Sequence, residues 1–125
     1  EMLRSLVGSE MCIRDSLNLK STRAVTDEVT RRLESGLPLA AICAAPSIPA
    51  ELGLLSGRRA TANPAFIDAL EKGGARVSRD SVVIDGDLLT SRGMATAVDL
   101  GLEIVRFLLD DDAVDALKKS VVYQR

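Results

Sequence analysis

Histidine is absent from this chain. A serine–histidine–acid triad, a cysteine–histidine dyad and a histidine-ligated zinc site each need an imidazole, so none can be complete within these residues. Aromatic residues amount to only 2%, with no tryptophan. That scarcity excludes modules that stack bases on aromatic platforms and leaves alanine, valine, leucine and isoleucine to build the core. There is no long basic run and the formal net charge is -2, so the electrostatic footprint of a nucleic-acid or anionic-membrane binder is missing. No apolar run reaches bilayer-spanning length, and the first residues lack the charged, apolar, small-residue order of a signal peptide. Two cysteines, Cys12 and Cys43, are too few for a disulfide scaffold and make a reducing cytoplasm the default compartment.

What is present is one domain's worth of folded composition: 125 residues, 46% hydrophobic and 27% charged. The chain is organised around Leu39-Ala40-Ala41-Ile42-Cys43-Ala44-Ala45-Pro46. A short all-apolar run suits a strand buried on both faces of a parallel sheet. Pro46 suits the first turn of a helix, where a missing N–H costs nothing. Cys43 then falls on the bend between strand and helix, where backbone N–H groups and the positive end of a helix dipole favour thiolate over thiol. Small alanines beyond it fit the tight turn of a nucleophile elbow. A second reading stands beside this one, because cysteine is also among the most buried residue types and often serves as a small core hydrophobe.

Either side of this stretch, the chain alternates. Glu1 to Ser16 shows no sustained period, and the string from Ser5 to Ser16 looks like a translated sequencing adapter. Residues 1–16 are therefore expected to be a non-native or disordered leader, and 17–125 the C-terminal portion of a longer domain. Ser21 or Thr22 caps a helix with Val25, Val29 and Leu33 on one face and Gly36 at its end. The strand Leu37–Ile42, a helix over Pro46–Leu54 and a weak strand Arg59–Ala62 follow. Asn63-Pro64 is an N-cap and first-turn proline for a helix Pro64–Lys72. Ala75–Ser78 and Val82–Ile84 read as strands, and Asp85-Gly86-Asp87 reverses the chain into Leu88–Thr90. A long helix, Met94–Leu109, should bury Ala97, Val98, Gly101, Leu102, Ile104, Val105 and Leu108. Asp112 then caps a short helix Val114–Lys119, and Val121–Tyr123 forms a tail or edge strand. The alternation predicts an α/β fold, an open sheet with helices on both faces. Sites in such sheets lie beyond the carboxyl ends of the strands, here at Cys43 and at Thr90–Gly93.

Those two loops together resemble the ThiJ/PfpI superfamily, and within it the DJ-one branch. The elbow Ala40–Pro46, the Gly53-Leu54-Leu55 after it and the block Leu88-Leu89-Thr90-Ser91-Arg92-Gly93 carry the resemblance, over about residues 18–124. It implies a flavodoxin-like fold, of the class I glutamine amidotransferase type and incomplete at its N-terminus, usually dimeric, with Cys43 as the reactive thiol. Ala44 stands where the protease-like branch has histidine, which points away from peptide hydrolysis. The family's partner glutamate has no clear counterpart, since too few residues separate Glu10 from Cys43 to hold the intervening βα units.

The resemblance implies cysteine-dependent glyoxalase III or deglycase chemistry on methylglyoxal or its adducts, without metal or cofactor, in a cytoplasmic homodimer that binds neither nucleic acid nor membrane. The N–H groups of Ala44 and Gly93 would hold an oxyanion. Asn63 is either only an N-cap or also part of the site, and Ser91 and Arg92 are either a helix-feeding turn or substrate-binding residues. The alternatives for the whole are a thiol redox sensor or stress chaperone without turnover, and an inactive fragment whose strand Leu37–Ile42 lacks a neighbour.

Overall fold

The computed structural model describes residues 8–124, with side chains described from Ile13 onward. Two helices open it, α1 (Gly8–Ser21) and α2 (Arg23–Glu34). Helix α1 corrects the expectation of an irregular stretch up to Ser16. Residues 1–7 of the expected leader lie outside the described part. Between the helices, the Thr22 hydroxyl donates to the Asn18 carbonyl at 2.7 Å. In α2 the Glu28 carboxylate accepts from Arg31 and Arg32, a favourable spacing along one face. Gly36, at φ +68°, ends the helix as its sequence position suggests. The Leu37 N–H can then turn back to the Arg32 carbonyl at 2.8 Å.

Strand β1 (Leu39–Ile42) is two residues shorter than expected, because Leu37 and Pro38 complete the turn out of α2. It runs parallel to β5 (Leu88–Ser91), with Leu39 opposite Leu88 and Ile42 opposite Ser91. Strand β4 (Val82–Asp85) pairs antiparallel on the other side of β5, giving the order β1-β5-β4. A separate parallel pair joins β2 (Arg59–Ala60) to β3 (Arg76–Val77). The mixed α/β architecture is as the alternation implies, but the described strands form two small sheets rather than one. All four residues of β5 are buried, as the middle strand of the larger sheet should be. The strand expected to lack a neighbour therefore has one on its β5 side; among the described residues none pairs with its other edge.

Between β1 and β2 lies α3, only Ser47–Glu51, followed by turns rather than by a helix reaching Leu54. A 3-10 turn (Pro64–Phe66) leads into α4 (Ile67–Lys72), and another (Met94–Thr96) into α5 (Ala97–Leu108); α6 is Asp111–Ser120. The cap of α6 is Asp110, not Asp112: its carboxylate accepts the Ala113 N–H at 2.8 Å. Residues 121–124 form a turn and tail and no strand.

The core is aliphatic, as the shortage of aromatics requires. Ala50, Leu55, Ala60, Ala62, Leu70 and Leu88 form its central cluster. Helix α5 departs from the expected buried stripe: Leu100 and Leu102 are buried, whereas Val98 and Leu108 are 53% and 63% exposed. This helix packs against both β5 and α6, so its burial is split between two directions. After α6, Val122 takes a left-handed φ of +55°, costly for a β-branched residue. It lets the Tyr123 N–H reach the Lys118 carbonyl at 2.9 Å, while the Tyr123 hydroxyl donates to Asp99.

Helix α4 ends against α3 so closely that a methyl group on Gly73 would lie 2.5 Å from the Ala50 carbonyl oxygen. Gly73→Ala is expected to lower the unfolding free energy by roughly 1–3 kcal/mol, and Val122→Gly to raise it by about 1 kcal/mol by releasing the left-handed strain. Urea denaturation midpoints at constant slope measure both.

Candidate active site

Cys43 is the first residue past the carboxyl end of β1, and its φ is +64°. A non-glycine residue there carries roughly 1–2 kcal/mol of strain and persists only where its surroundings hold it. Two backbone hydrogen bonds do so. The Cys43 N–H donates to the Ser91 carbonyl at 2.9 Å, and its carbonyl accepts the Asn63 N–H at 2.9 Å. The elbow is thus clamped by the last residue of β5 on one side and the loop after β2 on the other. The thiol residue is 4% exposed and Ala44 is fully buried.

Beyond the elbow the chain turns tightly. The Ala45 N–H donates to the Ile42 carbonyl at 3.1 Å, and the Ala44 carbonyl accepts both the N–H and the hydroxyl of Ser47, at 3.1 and 2.6 Å. No acceptor among the described residues takes the Ala44 N–H. A buried backbone donor without an acceptor is uncommon, and here it lies directly after the cysteine. Helix α3 is too short to supply the dipole that the sequence suggested, and Pro46 precedes it as the cap rather than lying in its first turn. What the bend offers a negative charge is its local N–H groups.

The other site residues named from the sequence gather around this clamp, with different duties. Asn63 caps the 3-10 turn, its side-chain oxygen accepting the Ala65 N–H at 3.1 Å. Its side-chain nitrogen lies 3.9 Å from where a Cβ on Gly93 would be. Ser91 is fully buried, and its hydroxyl is engaged by the Ser81 carbonyl at 2.9 Å and by the Thr96 hydroxyl. The Gly93 N–H donates to the Thr96 hydroxyl at 3.1 Å. Both groups are therefore occupied in holding the loop, and Gly93 is not free to act as an oxyanion donor. Arg92 donates from Nη1 to the Arg79 carbonyl at 3.2 Å, while its Nε is buried without a partner. Arg92 also lines a cavity of about 270 Å³ with Pro64, Ile67, Asp68 and Arg79.

Two supporting residues, Thr96 and Arg79, were not assigned to the site from the sequence, and the bond made by a third, Thr90, was not foreseen. Thr96 ties the 91–93 loop together, and the only signal was a threonine three residues after Gly93, at the start of a helix. Thr90 accepts the Thr61 N–H at 2.9 Å, which fixes the approach to Asn63. Arg79 enters through long-range folding alone. Among the described residues no group of three or more histidine, cysteine, aspartate or glutamate side chains comes together to hold a metal. No helix among them is long and apolar enough to cross a membrane.

Residues 14–107 match the DJ-1/PfpI family model. The chain belongs to the DJ-1/PfpI family. It is 35% identical to protein dj-1beta of Drosophila melanogaster over 106 residues, covering 84% of this chain and 57% of the fly protein. The crystal structure of Drosophila melanogaster DJ-1beta superposes with a TM-score of 0.80 at 31% identity, over 88% of this chain and 59% of that one. The fold is thus the flavodoxin-like fold of DJ-1/PfpI proteins. The glutathione-independent glyoxalase DJR-1.2 of Caenorhabditis elegans is 32% identical over 90 residues, 72% of this chain and 48% of the relative. The isonitrile hydratase of Pseudomonas putida is 32% identical over 82 residues, 66% of this chain and 36% of the relative. The chain spans about half the length of the curated DJ-1/PfpI relatives dj-1beta and DJR-1.2.

Thr90 links the two loops of the clamp, and Thr61 and Thr90 are both fully buried. Thr90→Val leaves the Thr61 N–H without its acceptor and is expected to cost roughly 1–3 kcal/mol. Urea denaturation measures the loss, and faster amide exchange at Thr61 locates it.

Proposed function

We propose that this chain is part of a cysteine-dependent enzyme acting on small reactive carbonyls, with methylglyoxal or its early adducts on amines as the substrate class. The observation that carries the reading is the strained Cys43 elbow, followed at once by a buried Ala44 N–H that no described residue accepts. Nucleophile and oxyanion donor stand in this relation in strand-to-helix elbows generally. The glyoxalase among the relatives supports the choice of substrate. The isonitrile hydratase among the relatives carries a different named activity.

In this reading the thiolate adds to the aldehyde carbon of methylglyoxal, a C–S bond forms, and the oxygen takes up a proton as a hemithioacetal. The Ala44 N–H stabilises the charge on that oxygen as it develops. A proton then moves from the former aldehyde carbon to its neighbour, leaving the thioester of a hydroxy acid. Water cleaves the thioester, giving lactic acid and returning the thiol, so that the sum is methylglyoxal plus water to lactic acid. The proton shift needs a base. In the family pattern this is a glutamate, which is not among the site residues identified in this chain. Asn63, Ser91 and Gly93 act by holding the elbow, and Arg92 by binding. The working state in this proposal is a cytoplasmic homodimer.

The test is turnover of methylglyoxal by the full-length protein that carries this chain, with lactate detected by proton NMR. Cys43→Ala is expected to reduce the rate by at least about 100-fold. Full activity in that variant would overturn the mechanism. Absence of turnover, with Cys43 oxidised to a sulfenic acid by hydrogen peroxide, would favour the redox-sensor reading instead.

A further inference from the structure

The cavity beside the elbow is lined by two arginines, Arg79 and Arg92, and one aspartate, Asp68. None of the three makes an ion pair among the described residues. Arg31, Arg32, Arg58 and Arg106, by contrast, each meet a carboxylate. Two arginines against one aspartate leave the lining of this cavity with a net positive charge, which favours binding of an anion there.

The state of the Arg92 fork narrows the choice. Its Nη1 is engaged by the Arg79 carbonyl, while its Nε is buried and has no partner. The unpartnered Nε edge is the one on which a planar carboxylate forms two parallel hydrogen bonds, and such a bond would remove the cost of leaving a buried donor unmet. Pro64 and Ile67 add an apolar wall, and the cavity of about 270 Å³ suits a small organic acid. Asp68 in the same cavity disfavours a second negative charge, which counts against a phosphate dianion.

The position ties this cavity to the thiol. Pro64 directly follows Asn63, whose N–H holds the Cys43 carbonyl, and Arg92 directly follows Ser91, whose carbonyl holds the Cys43 N–H. We propose that Arg92 and Arg79 form a carboxylate subsite beside the elbow, which takes the acid group of a small hydroxy acid or of a carboxylate-bearing adduct. The assignment of that acid as product or substrate rests on the Cys43 chemistry proposed above; the subsite itself rests on the two arginines.

The test titrates the full 125-residue chain with sodium lactate and, separately, with inorganic phosphate at constant ionic strength, followed by amide proton–nitrogen spectra. Lactate is expected to shift the amides of Ile67, Asp68, Arg79 and Arg92, in the parent and equally in Cys43→Ser. Arg92→Gln should weaken lactate binding by about tenfold or more, with Arg92→Lys restoring only part of it because an ammonium cannot bind in the two-point mode. Arg79 is exposed, so Arg79→Gln carries the same expectation should Arg92→Gln fail to fold. Absent or scattered lactate shifts, unchanged affinity in the glutamine variants, or phosphate binding as tight as lactate would each overturn the subsite. Lactate binding without methylglyoxal turnover would leave the subsite standing and remove the chemistry; turnover without lactate binding would do the reverse.

Discussion

A single backbone conformation organises this molecule. Cys43 sits in the left-handed region at the end of strand β1, and two hydrogen bonds, to the Ser91 carbonyl and from the Asn63 N–H, hold it there. The remaining features near the site can be understood as supports for that clamp. Strand β5 must be central and fully buried for its last carbonyl to meet the elbow. Thr90 must bond the Thr61 N–H so that the loop after β2 arrives in register, and Thr96 must occupy the hydroxyl of Ser91 and the N–H of Gly93 so that β5 ends where it does. These contacts offset the strain at the elbow, and the same geometry leaves the Ala44 N–H without an acceptor.

Much of this was legible in the residues themselves. The Gly36 terminator, the Asn63-Pro64 cap and the aspartate–glycine turn before β5 each have a local cause, and each is found where its cause places it; the apolar approach to Cys43 is a strand as expected, but with Ala40 exposed and only Ala41 buried rather than covered on both faces. Elements whose limits depend on distant partners were not legible. The dipole expected at the elbow shrinks because the turns after Glu51 stop α3 early. The stripe drawn on α5 is wrong at Val98 and Leu108 because a helical period cannot tell one packing partner from two. The cap of α6 moved from Asp112 to Asp110 because three consecutive aspartates are equivalent candidates until the helix axis is fixed.

The site divides along the same line. Cys43 and Ala44 follow from the elbow pattern, which is local. The duties of Ser91, Arg92 and Gly93 do not, since they depend on Ser81, Arg79 and Thr96. The Ser91 hydroxyl and the Gly93 N–H are engaged within the loop itself, while Arg92 lines a cavity that only long-range folding assembles. Membership of the DJ-1/PfpI family is compatible with this division, since relatives of this chain carry different named activities.

The claim most exposed to a direct test is that Cys43 is held in strain. Stability should be measured for Cys43→Gly and Cys43→Ala in parallel by urea denaturation. At an ordinary backbone position glycine is the less stable of the two. Here the account predicts that the glycine variant is more stable by about 1 kcal/mol, because it alone adopts a positive φ without cost. An alanine variant as stable as the glycine one, or more so, would contradict it.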